Sequence, residues 1–133
     1  MRALSPLLTL LLLCGCETSR TEPYAPVENV HYNALGEEPF WMVAIGDDRI
    51  VLRLADESGR PQDAIWPRTL PRTVDGVRIW QSGEGTQVIS IEARPSPCEG
   101  SRGQVYEDQV RVRLSGRELL GCGGRLIGRE GDR

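Results

Sequence analysis

Arg72-Thr73-Val74-Asp75-Gly76-Val77-Arg78-Ile79-Trp80-Gln81 is the stretch whose reading decides the fold. Asp-Gly between two β-rich runs is the residue pair that a type I′ turn demands, because both central residues need a positive φ. The stretch therefore reads as a tight antiparallel hairpin. The same pattern recurs on both sides of it. Upstream, residues 40–45 and 49–54 are short apolar runs joined by Gly46-Asp47-Asp48, a three-residue hairpin loop. Ile50, Leu52 and Leu54 alternate there with Arg49, Val51 and Arg53, which predicts one buried and one wet face. Downstream, Ser82-Gly83-Glu84-Gly85 leads into residues 86–93, where Ile89, Ile91 and Ala93 share a face.

Residues 105–114 continue the period, with Val110, Val112 and Leu114 expected inside and Arg111 and Arg113 outside. Ser115-Gly116-Arg117 turns the chain into a run over 118–122, and 125–127 supply a last short strand. No window holds a helical stripe ten residues long. Six to eight short antiparallel strands in meander order must curl or stack to bury their apolar face. The expected fold is all-β: a small antiparallel β-barrel first, a two-sheet sandwich second, with one disulfide.

The N-terminus carries a different signal. Arg2 and an apolar stretch over 3–13 precede Leu11-Leu12-Leu13-Cys14-Gly15-Cys16. This run resembles a bacterial lipobox, with cleavage before Cys16 and a diacylglycerol on its thiol. The apolar stretch is too short to span a bilayer, which takes about 20 residues. The expected organisation is a lipoprotein signal peptide over 1–15, a lipidated flexible tether over 16–35, and a β domain over 36–130. Pro23 and Pro26, several acids and the absence of an apolar period mark the tether. Glu at position 17, where Asp tends to retain enteric-type lipoproteins at the inner membrane, points to the periplasmic leaflet of the outer membrane.

Composition bounds the partners. The formal net charge is −3, so no basic field recruits nucleic acid. All 16 basic residues are arginine, the signature of a GC-rich coding sequence. Of four cysteines, Cys14 goes with the signal and Cys16 takes the lipid. Cys98 and Cys122 then most simply pair in an oxidising compartment. Closing a loop of about 25 residues stabilises a small domain by roughly 3 kcal/mol in the chain-entropy model. The rival, a metal site, lacks ligands, since His31 is the single histidine.

The chemistry of catalysis is thin. His31 falls in the expected tether, away from any nucleophile. The pairs Glu37-Glu38, Asp47-Asp48 and Glu107-Asp108 read as solvated or turn residues, the last two pointing to opposite faces of a strand. The expectation is a non-enzyme without cofactor or metal. Two features stand out as binding material. Phe40 and Trp41 open the domain as an anchor of the core or a ligand-facing pair. Cys98-Glu99-Gly100-Ser101-Arg102-Gly103-Gln104-Val105-Tyr106 is a polar glycine-rich loop fixed at one end by the disulfide, with Ser101, Arg102 and Tyr106 as contact candidates. A third reading uses a barrel interior near Trp41, Trp66 and Trp80 to carry a small ligand.

Glu38-Pro39-Phe40-Trp41, Gly46-Asp47, Cys98, Tyr106 and Gly121-Cys122 together resemble a family of uncharacterised bacterial envelope lipoproteins. That family has an N-E-P-F-W-like start, a Gly-Asp hairpin, a C-x-D-x-M-S-x-x-x-Y segment and a terminal G-C. The likeness covers residues 36–122, and Gly100-Ser101-Arg102-Gly103 departs from the Asp-x-Met-Ser part. In style the domain is similar to META/heat-shock-type lipoprotein domains and to membrane-bound inhibitors of C-type lysozyme. The resemblance implies a periplasm-facing binding module with an envelope protein or a lysozyme as partner. An envelope-stress or assembly accessory is the alternative.

Overall fold

A computed structural model describes residues 27–131. The expected signal peptide and Cys16 lie outside them. Nine strands run in one antiparallel sheet: β1 Tyr32–Gly36, β2 Trp41–Ile45, β3 Arg49–Ala55, β4 Pro61–Pro67, β5 Arg72–Val74, β6 Val77–Ser82, β7 Ile89–Glu99, β8 Gln104–Leu114 and β9 Arg117–Arg129. The spatial order is β4-β3-β2-β1-β9-β8-β7-β6-β5. Two meanders, β1–β4 and β5–β9, are thus joined by a single long-range pairing, β1 against β9, with Ala34 opposite Gly123 and Leu35 opposite Cys122.

The sheet curls into a half-barrel around one core. Trp41, Val43, Ile45, Ile50 and Leu52 from the first meander meet Trp80, Ile89, Ile91, Val110 and Val112 from the second. The inward alternation at 89, 91 and 93 and at 110 and 112 is as the period predicts, all five residues being buried. Near one end the two arms touch. Ser82 Oγ donates to Pro67 O at 2.7 Å, and Trp66 Nε1 donates to Gln87 O at 2.7 Å. Arg111 and Arg113 face outward and share Glu92 and Glu118 across β7, β8 and β9.

Several expectations are corrected. The sheet is single, so the sandwich alternative does not apply. There are nine strands rather than six to eight, because β1 and β4 carry weak local signals. Tyr32, Ala34 and Gly36 are buried along β1, yet two of the three are small and the strand forms only between β2 and β9. Residues 32–35, expected to belong to a flexible tether over 16–35, are instead part of β1. Pro61 and Pro67 bracket β4, which suits an edge strand. The runs at 118–122 and 125–127 are parts of one strand, β9, bent where its register with β8 shifts beside Gly123 and Gly124. Val51, expected on the wet face, is buried, flanked in register by Ala44 and Ile65.

Candidate functional site

The hairpin tip between β7 and β8 is built to leave the sheet. Pro95 and Pro97 cannot donate to a ladder, and the β7–β8 register shifts between Pro95 and Cys98. A second set of shifts, over Val105–Asp108, loosens β8 from β9. The Cys98–Cys122 disulfide then ties β7 to β9 across β8, with the Cα atoms 5.4 Å apart. Cys122 is buried.

Hydrogen bonds fix the tip itself. Gly100 N–H donates to Gln104 O at 2.7 Å and Gly103 N–H to Gly100 O at 3.2 Å. Arg102 N–H donates to Gln104 Oε1 at 3.0 Å, and Glu130 N–H to Gly103 O at 2.7 Å. Gly103 has φ 74°, a left-handed conformation that glycine adopts without Cβ strain. Ser101 Oγ donates to Glu37 Oε1 at 2.7 Å, which pins the tip to the end of β1. Between them lies a small cavity of about 190 Å³ lined by Leu35, Glu37, Glu99, Ser101 and Tyr106.

The three residues expected as contacts thus gather at one place with different roles. Ser101 is spent on Glu37. Tyr106 stands half-buried behind Gly100, whose Cα faces its ring. Arg102 is exposed and makes no ion pair among the described residues. Beside it, the hydrogen bond from the Glu130 carboxyl group, and then its charge, raise the Glu99 carboxyl above its ordinary range.

The aromatic pair separates. Phe40 is half-exposed, while Trp41 is sealed in the core at 1 % exposure. Trp41 Nε1 donates to Leu120 O at 3.3 Å, and Gly36 and Gly121 press so close to its ring that neither position has room for a Cβ. Trp66 and Trp80 are buried as well. All three tryptophans belong to the buried core cluster. An apolar mouth of about 500 Å³ opens beside Pro39, Leu52, Leu54, Ala64 and Leu114.

Two polar clusters were missed in the sequence. In the first, Tyr32 OH and Arg78 Nη2 each donate to Asp108 Oδ2 at 2.8 Å. Asp108 is buried, Tyr32 stacks on Trp80 with centroids 4.8 Å apart, and the Arg78 guanidinium lies 5.0 Å and 5.4 Å from the two ring centroids. Burial first, and the hydrogen bond to Asp108 second, drive the Tyr32 phenol pKa far above its usual range. The signal was present: Asp108 stands two residues before Val110, in phase with the buried face. The second cluster centres on the exposed Asp47, which accepts from Asn29 Nδ2 at 2.6 Å, pairs with His31, and lies 4.0 Å from Arg68 Nη1. The Asn29 bond first, then His31, lowers its pKa. Among the described residues no group of three or more His, Cys, Asp or Glu is arranged to hold a metal ion.

No protein-family model, curated protein or solved structure matches this chain.

Proposed function

We propose that the chain is a lipid-anchored envelope protein facing the periplasm, and that it acts as a non-catalytic binding module through the clamped tip at Gly100–Tyr106. The observation that carries this reading is the combination at the tip: a disulfide, three backbone–backbone hydrogen bonds and one from backbone to the Gln104 side chain hold the loop, yet Arg102 makes no ion pair among the described residues. A pre-ordered loop loses little entropy on binding, and arginine and tyrosine are the residues that dominate contact energies. The disulfide also supports an exported location, since such bonds persist in oxidising compartments. Among the described residues no helix is long and apolar enough to cross a membrane; in this reading attachment is by acylation at Cys16. Glu17, standing where Asp tends to retain enteric-type lipoproteins at the inner membrane, supports the outer-membrane leaflet.

The test places a photoreactive amino acid at position 102 in the full-length chain in cells. The expected result is one dominant adduct with an envelope protein, absent when the probe sits at Glu84. Equal labelling from both positions would overturn the tip as the contact surface. If the partner is a lysozyme, the purified domain inhibits a C-type lysozyme, and Arg102→Glu removes the inhibition. An enzyme left fully active at micromolar excess rejects that version and leaves the assembly accessory. A second reading, carriage of a small apolar ligand, is favoured by the mouth at Leu54 and Leu114. It requires tryptophan emission to respond to a lipid panel.

A further inference from the structure

Exposed leucines are ordinary when scattered, but Leu70 is extreme and its place is specific. It is 80 % exposed, the largest exposure among the large apolar side chains described. It sits in the connection from β4 to β5, and that connection is tied to the point where the chain enters the fold. Arg68 N–H donates to Asp48 O at 3.0 Å, and Arg68 Nη1 reaches Asp47 O at 3.4 Å. Asp47 N–H in turn donates to Glu28 O at 3.1 Å, and its carboxylate holds Asn29 and His31. Val27 packs against Gly46, and Val30 is half-exposed on the same segment.

Val27 stands eleven positions after Cys16. At about 3.5 Å per residue this stretch reaches no more than roughly 40 Å even fully extended. An acylated Cys16 therefore holds the entry end, and Leu70 with it, within roughly 40 Å of the bilayer. The clamped tip lies elsewhere: Ser101 is bonded to Glu37, just past the far end of β1.

We propose that the entry end of the half-barrel is a membrane-facing surface, with Leu70 seated in the headgroup region of the bilayer that holds the chain's own lipid. This rests on the lipid-anchored reading and gives it an orientation: Leu70 down, Arg102 away from the membrane. Charge plays a minor part. Arg49 is paired with Asp48, and Arg68 lies by Asp47. Partition of one leucine is too weak to recruit a free protein. Tethering converts it into an intramolecular event at high effective concentration, where it is enough to set an orientation.

The experiment uses the acylated protein purified from membranes, reconstituted in phosphatidylethanolamine vesicles that contain a shallow doxyl-labelled lipid. With Cys14 removed with the signal peptide, Cys16 acylated and Cys98 bridged to Cys122, an introduced cysteine is the one free thiol for labelling. A fluorophore on Arg72→Cys is expected to be quenched several-fold more than one on Arg102→Cys, in line with the roughly tenfold or greater partition of a leucine side chain. Adding Leu70→Asn should bring the Arg72→Cys signal down to the Arg102→Cys level without shifting the melting temperature. Replacing part of the lipid with phosphatidylglycerol should change little. Mass spectrometry separates the two failures. A Cys16 without acyl chains overturns the anchored reading and this surface together. An acylated protein with equal quenching at both positions, or with quenching unaffected by Leu70→Asn, overturns the membrane-facing surface alone.

Discussion

The clamped tip and the entry end both join segments far apart in the chain, but by opposite means. At the tip a covalent bond links Cys98 to Cys122, and glycine-rich backbone closes on itself around it. At the entry end one exposed carboxylate, Asp47, gathers Asn29, His31 and Arg68 in a fan of hydrogen bonds and charge. A covalent tie acts at every pH and constrains the unfolded chain too. A solvated carboxylate holds its partners only while ionised, and weakly. Between them, Tyr32 and Asp108 form a buried tie of intermediate kind, shielded from water yet made by a phenol that can still ionise. The lesson is that ties of different strength suit different duties: a rigid tip that presents a side chain, and an adjustable end where the chain arrives.

The comparison breaks most visibly at the disulfide. Replacing both Cys98 and Cys122 with serine should lower unfolding stability by about 3 kcal/mol in denaturant titrations, a large share of the stability of so small a domain. Amides at Gly100 and Gly103 should then exchange faster, while those of β2 and β3 keep their order of protection. Full retention of stability would mean that the packing around Cys122, and not the bond, holds the tip.

A smaller effect is expected at the buried tie. Tyr32→Phe removes the phenol donor from Asp108 and should cost about 1–2 kcal/mol. It should also flatten the alkaline limb of the stability curve. The folded-state pKa of Tyr32 is raised, so its contribution is present below pH ~10, where a tyrosine in the unfolded chain ionises. The contribution declines as pH rises beyond that, because the unfolded state then binds fewer protons. Denaturation midpoints of both proteins at pH 8 and pH 11 measure this. A wild-type protein that loses no more than Tyr32→Phe over that interval would show that the phenol ionises freely.

The smallest change sharpens the contrast at the exposed end. Asp47→Ala should leave the denaturation midpoint nearly unchanged while the amides of His31 and Arg68 exchange faster. The Asp47 pKa is lowered in the fold, so its contribution is present above the ordinary carboxylate range and is lost as pH falls through the lowered value. The wild-type entry end should therefore loosen in acid and come to match Asp47→Ala. Exchange measured at pH 3 and pH 6 gives the readout, and identical protection in the two proteins at pH 6 would rule out Asp47 as the hub.

Much of the fold could be read locally. Asp75-Gly76 turned where its chemistry requires, with positive φ at both residues. The two-residue period at Ile89, Ile91 and Ala93 named a buried face correctly, and the last two domain cysteines are bridged. Of the tip residues, Arg102 could be singled out as an exposed cation, but the duty of Ser101 toward Glu37 could not. Trp41 gave no local sign of which side it faces, since an aromatic at a strand start serves a core and a binding face equally well.

What this sequence determined by itself is set by neighbours along the chain, in turn chemistry and strand period, and by the count of cysteines available to pair. Tertiary structure alone decided that Tyr32 meets Asp108 across 76 positions, that β1 closes the two meanders into one sheet, and that Leu70 shares an end with the entering chain. Those outcomes come from burial and hydrogen-bond satisfaction between distant segments. A side chain's partner across the fold leaves no periodic trace around it.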